Sequence, residues 1–82
     1  MHLDNDFHQE VELLTFFNLN TSQEGIKIHH EASRERISAA ERLFAKGLIT
    51  QRDGGYLTPL GQHAAEHVQA LVRLLSSADS EG

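Results

Sequence analysis

The stretch 33–57, followed at once by Thr58-Pro59, leaves this chain little conformational choice. Ser33 suits a helix N-cap, and Ile37, Ala40, Leu43 and Phe44 recur at helical spacing as an inward stripe. Gly47, just behind Lys46, is a glycine placed to end that helix in the left-handed region. Leu48, Ile49 and Thr50 then lead into a strand with Gln51 and Arg52. Asp53-Gly54 or Gly54-Gly55 supplies the positive φ of a tight hairpin turn, and Tyr56-Leu57 return. Thr58 before Pro59 is an N-cap followed by proline at the first helical position. The expected order here is helix 33–46, hairpin 48–57, helix 59–76.

The flanks add helices. Asp4, Asn5 and Asp6 offer N-caps, and Glu10 and Glu12 place further acids near the positive end of a helix dipole. Phe7, Val11 and Leu14, widened by Leu13, Phe16 and Phe17, predict a helix over 6–18 that is apolar over half its girth. Met1 and His2 are expected to fray. Thr21-Ser22-Gln23-Glu24 matches a capping box and predicts a short helix over 22–30, with Gly25 as its weak point. In the last helix, Leu60, Ala64, Val68, Leu71 and Leu75 form one stripe, and Ala65, Val72 and Leu74 spread it to nearly half the circumference. That is more apolar surface than one small core needs, so Leu71, Leu74 and Leu75 are candidates for a dimer interface. The expected fold is mainly α with a small β-hairpin, ordered α-α-α-β-β-α. It forms a single domain over 1–82, with a polar tail at 76–82.

Charge is unevenly spread. The net charge is −5, yet six of the seven basic residues, with only three of the twelve acids, lie between Lys27 and Arg52. Nucleic acid responds to this local field, because salt screens charges over about 8 Å. No apolar run reaches the ~20 residues of a membrane helix. The chain has no cysteine and so no thiolate site. Both features favour a cytoplasmic protein. His63 and His67 stand one helical turn apart, but no third metal ligand is identifiable, and no metal or cofactor is expected. No phosphate loop or nucleophile constellation appears, so no enzyme activity is expected.

The run Leu43-Phe44-Ala45-Lys46-Gly47-Leu48-Ile49, then Arg52, then Tyr56-Leu57-Thr58-Pro59-Leu60-Gly61, resembles the end of a MarR-like winged helix-turn-helix domain. In that family a recognition helix runs into a Gly-Leu-Ile-type strand, a wing and a Leu-Thr-x-x-Gly helix start. Leu57, Thr58 and Gly61 occupy those places. The resemblance covers about 21–75. The whole chain also resembles a family of very short bacterial proteins described as DNA-binding or regulatory. The wing is shorter than in many such regulators and lacks their Asp-x-Arg pair, and their long dimerisation helices are missing.

The resemblance implies a transcription regulator that binds double-stranded DNA, with 33–46 as recognition helix and 48–57 as wing. Counting about 100° per residue, the helix presents Glu35, Ser38, Ala39, Arg42 and Lys46 opposite its apolar stripe, with Arg34 at its start. Arg34, Ser38, Arg42 and Lys46 are the expected contacts from that helix, with Lys27 and Arg52 on phosphates. The expected assembly is a homodimer. The alternative is a winged-helix module that binds another protein and no DNA.

Overall fold

The computed structural model describes residues 4–21 and 23–79, with side chains described to Ser77. Expectations for Met1 and His2, for the Ser22 helix start and for the tail beyond Asp79 lie outside the described residues. The elements are α1 (Asn5–Leu14), β1 (Ile26–Lys27), α2 (Arg34–Ala45), β2 (Ile49–Gln51), β3 (Gly54–Leu57) and α3 (Pro59–Asp79). The fold is mainly helical, with three helices and one small antiparallel sheet ordered β1-β3-β2.

The local signals in the second half act as read. Ser33 accepts from the Arg36 amide at 3.1 Å, and Gly47 ends α2 at φ 80°. Thr58 joins the two helix ends. Its hydroxyl donates to the Gly47 carbonyl at 2.6 Å and accepts from the Gly61 amide at 3.0 Å. The hairpin turns at Arg52-Asp53, one step earlier than expected. Gly54 and Gly55, at φ 125° and 74°, open β3 instead of forming the turn, and the register slips between Ile49 and Gln51. Such an irregularity twists a ribbon locally.

Two expectations fail in the first half. Helix α1 stops at Leu14, four residues short, where the Thr15 hydroxyl donates to the Glu12 carbonyl. Phe17 is buried all the same, on the turn beyond it. The helix expected over 22–30 is replaced by the extended β1, so the order is α-β-α-β-β-α. The Thr21 hydroxyl accepts from the Gln23 amide, a local turn that competes with helix capping. Ile26 and Lys27 pair with Gly55 and Gly54. Gly25 tolerates no side chain there, since a Cβ would lie 2.5 Å from the Gly55 carbonyl oxygen.

The core joins Leu13, Leu14 and Phe17 after and within α1, Ala39, Ala40 and Leu43 of α2, Ile49 of β2 and Ala65 of α3. Alanines at 39 and 40 let α1 and the sheet approach the α2 backbone closely. Gln69 fastens α3 to the end of α1, donating to the Leu14 and Phe17 carbonyls at 3.2 and 2.8 Å. Helix α3 then runs past the body, and every residue from Leu71 to Ser77 is exposed. The single broad stripe expected on α3 is therefore two: Ala65 and half-buried Val68 face the body, while Leu60, Leu71, Leu74 and Leu75 face solvent.

Candidate nucleic-acid interface

Packing turns α2 away from its expected orientation. Ala39, expected on the outer face, is fully buried, while Phe44, expected inside, is exposed. Helix α1 lies along the side of α2 that carries Ala39, Arg42 and Lys46, and it supplies carboxylates to meet the cations. Arg42 donates from Nε to Glu10 Oε2 at 2.7 Å and from Nη2 to the Asp6 carbonyl at 3.2 Å. Lys46 donates from Nζ to the other Glu10 oxygen. Arg36 donates to Glu12 at 3.2 Å with its guanidinium 4.6 Å from the centre of the Phe16 ring. Asn5 of α1 reaches Glu35 at the start of α2.

Glu10 is 8% exposed, the one buried charged residue among those described. Burial pushes its carboxyl up, but the hydrogen bonds and charges of Lys46 and Arg42 outweigh burial and hold it below the usual 4.5. Three of the cations expected to make the segment positive, Arg36, Arg42 and Lys46, are thus neutralised by carboxylates of α1. Arg42 and Lys46 can reach a ligand only by leaving Glu10. Each joins a carboxylate more than thirty positions away, which no local pattern in the sequence could have revealed.

The exposed ridge of α2 is instead Arg34, Ser38, Glu41 and Ala45, at helical spacing, with Ser38 half-buried. Beside it lies an open groove of about 290 Å³. The groove is lined by Lys27 to His30 and by Arg52 and Asp53 of the hairpin turn, two segments joined by the Ile28 amide, which donates to the Asp53 carbonyl at 2.7 Å. Ile37, Ala40 and Glu41 form the floor. A second depression of about 320 Å³ continues from Glu41 and Arg52 to Phe44 and Ala45. Arg52 stands between the two. Lys27 and Asp53 pair at 3.0 Å, and the Lys27 ammonium holds the Asp53 carboxyl below its usual range. Arg34 and Arg52 have no ion-pair or hydrogen-bond partner among the described residues, and both are exposed.

Of the six expected contacts, the structure brings Lys27 and Arg52 to one groove, puts Arg34 and Ser38 on the adjacent ridge, and engages Arg42 and Lys46 with α1. His29 and His30 also line the groove; they fall within the helix expected over 22–30, and only the extended path after β1 sets them there. Among the described residues no three histidine or carboxylate side chains gather as a metal site, and no helix is long and apolar enough to cross a membrane.

Fold and groove together describe a small, mainly helical single-chain unit with a three-stranded sheet and one mixed-charge open face. The chain belongs to a family of unknown function, DUF5669, which matches residues 1–76. No curated protein and no solved structure matches it.

Proposed function

We propose that this chain is a small winged-helix protein that binds double-stranded DNA through the exposed ridge of α2 and the groove beside it, and that it regulates transcription in the bacterial cytoplasm. The observation that carries the reading is the pair of exposed arginines without a side-chain partner among the described residues, Arg34 at the start of α2 and Arg52 at the hairpin turn, where it lines the groove beside α2. The sheet order β1-β3-β2, with the β2–β3 hairpin beside α2, supports it as a winged-helix arrangement in which β1 and an irregular turn stand in place of one helix. At twelve residues, α2 is about 18 Å long and narrow enough for a major groove about 12 Å wide. Arg34, Arg52 and Lys27 would contact phosphates. Ser38 and Glu41 face outward where base edges would lie, and a glutamate there can accept from a cytosine amino group.

With three phosphate contacts, log K should fall with log salt at a slope of about −3. Selection from random duplexes at about 100 mM salt, followed by titration on the enriched site, tests this. Arg34→Ala and Arg52→Ala should each flatten the slope by about 1 and weaken binding to all sequences alike. Lack of enrichment, or wild-type affinity in both variants, would overturn the reading. The exposed apolar side of α3 favours a second reading, a module that binds protein and no DNA. Salt-insensitive association would mark it.

A further inference from the structure

In the first half of α3, His63-Ala64-Ala65-Glu66-His67 carries the spacing in which some zinc hydrolases set two histidines and a glutamate on one helix. The two imidazoles are four positions apart, so they stand one above the other, about 40° apart around the axis and about 6 Å along it. The body of the protein holds the opposite side of this helix. Gly61 and Ala65 are buried, and Ala65 lies about 200° round from His63. His63 and His67 are both exposed, and neither has a hydrogen-bond or ion-pair partner among the described residues. Charge favours a cation at this place. Glu66, beside both histidines, is the only Asp, Glu, Lys or Arg between Pro59 and Val72. Gln62 Nε2 donates to its Oε2 at 3.3 Å, and its other oxygen has no partner among the described residues. The first turn of α3, whose free amides would repel a cation, ends before His63.

We propose that His63 and His67 chelate one divalent transition-metal ion, of the class zinc, copper or nickel, on the outer face of α3. A pair of imidazole nitrogens selects these ions over magnesium and calcium, which need oxygen ligands. Imidazoles bind as neutral ligands, and the free oxygen of Glu66 can accept from a metal-bound water and offset part of the ion's charge. Catalytic zinc sites draw three ligands from the protein, and structural ones four. This pair supplies two, and among the described residues no third side chain joins them as a ligand. The remaining positions stay open to water, so the ion is held reversibly. Chelation across one helical turn requires the helix, so metal binding favours the folded state over the unfolded chain. None of the residues that line the groove beside α2 belongs to α3, so the site stands whether or not the chain binds DNA.

Calorimetric titration of the whole chain with zinc chloride near neutral pH, in a buffer that does not bind metal, tests the site. Wild type should bind about one equivalent. His63→Gln and His67→Gln, both at positions already in solvent, should keep the native circular dichroism and each weaken binding by about tenfold or more, because a single imidazole cannot chelate. Copper should bind more tightly than zinc, and magnesium should not compete. In urea unfolding, zinc at about 100 times the wild-type dissociation constant should raise the folded-to-unfolded ratio of wild type by up to about a hundredfold, and that of the two variants by about tenfold or less. The double variant His29→Gln, His30→Gln controls for the chain's other adjacent histidines and should bind zinc as wild type does. A wild type that takes up no zinc, or binding that survives unchanged in both α3 variants, would overturn the site. Loss of binding in the His29, His30 double variant with both α3 variants intact would move it elsewhere and overturn it equally.

Discussion

Replacing Gly61 by alanine should cost about 3 kcal/mol or more of folding stability, a large share of what a chain this short possesses. A Cβ at this position would fall 1.9 Å from the Leu48 carbonyl oxygen and 3.2 Å from Leu57 Cδ2. The first obstacle is backbone, held in place by the Thr58 amide, which donates to that same carbonyl at 3.0 Å. No rotamer change relieves the clash. Helix α3 must lift, and with it Ala65, Gln69 and the seal on the end of α1. Gly47→Ala is the control. Its φ of 80° is unfavourable for alanine, but nothing lies within 4 Å of a Cβ there, so only the backbone penalty of about 1 kcal/mol remains. Urea unfolding at neutral pH should therefore rank wild type above Gly47→Ala and both well above Gly61→Ala. Equal losses for the two glycines would mean that α3 does not sit against Leu48 as closely as described.

The same glycine shows what the sequence made legible. The Leu57-Thr58-x-x-Gly61 pattern, the Ser33 cap, the Gly47 stop and the hairpin each act within a few residues, and those elements start within a residue or two of the expected positions, while α3 runs on to Asp79, three residues beyond its expected end and into the expected polar tail. What failed depends on distant partners. Thr21 and Glu24 have the residue types of a capping box, yet Gly25 serves the close passage of β3, thirty residues on. The expected inward stripe of α2 holds at Ala40 and Leu43, which are buried, and fails at its edge: Phe44 is exposed and Ala39 is buried in its place, since small side chains let α1 and the sheet draw near. That rotation, together with Glu10, removes Arg42 and Lys46 from the expected contacts and brings Glu41 outward. The α3 stripe was seen whole, but which part faced the body required the position of α1 and the two bonds from Gln69.

Glu10→Ala should destabilise the fold by about 2–3 kcal/mol at neutral pH. Removing one member of a buried ion pair leaves the others desolvated, at a typical cost of about 3–5 kcal/mol. The lower figure applies here because Arg42 and Lys46 keep 31% and 55% of their side-chain surface in water. The pH dependence separates this effect from packing. The folded carboxyl titrates below its ordinary 4.5, so its contribution is fully present above that value and is lost as pH falls through the folded value. Wild type and Glu10→Gln should therefore differ most at neutral pH and converge as pH falls below 4.5 through the folded value. A gap that persists unchanged into acid would assign the loss to shape, not charge. The clamp also bears on the DNA reading. Arg42→Ala should lower stability as Glu10→Ala does while leaving the salt slope of DNA binding unchanged, because Arg42 is held by α1. Arg34→Ala and Arg52→Ala should do the reverse. If Arg42→Ala flattened the slope as the exposed arginines do, Arg42 would have to leave Glu10 on binding, and α1 would be part of the contact mechanism.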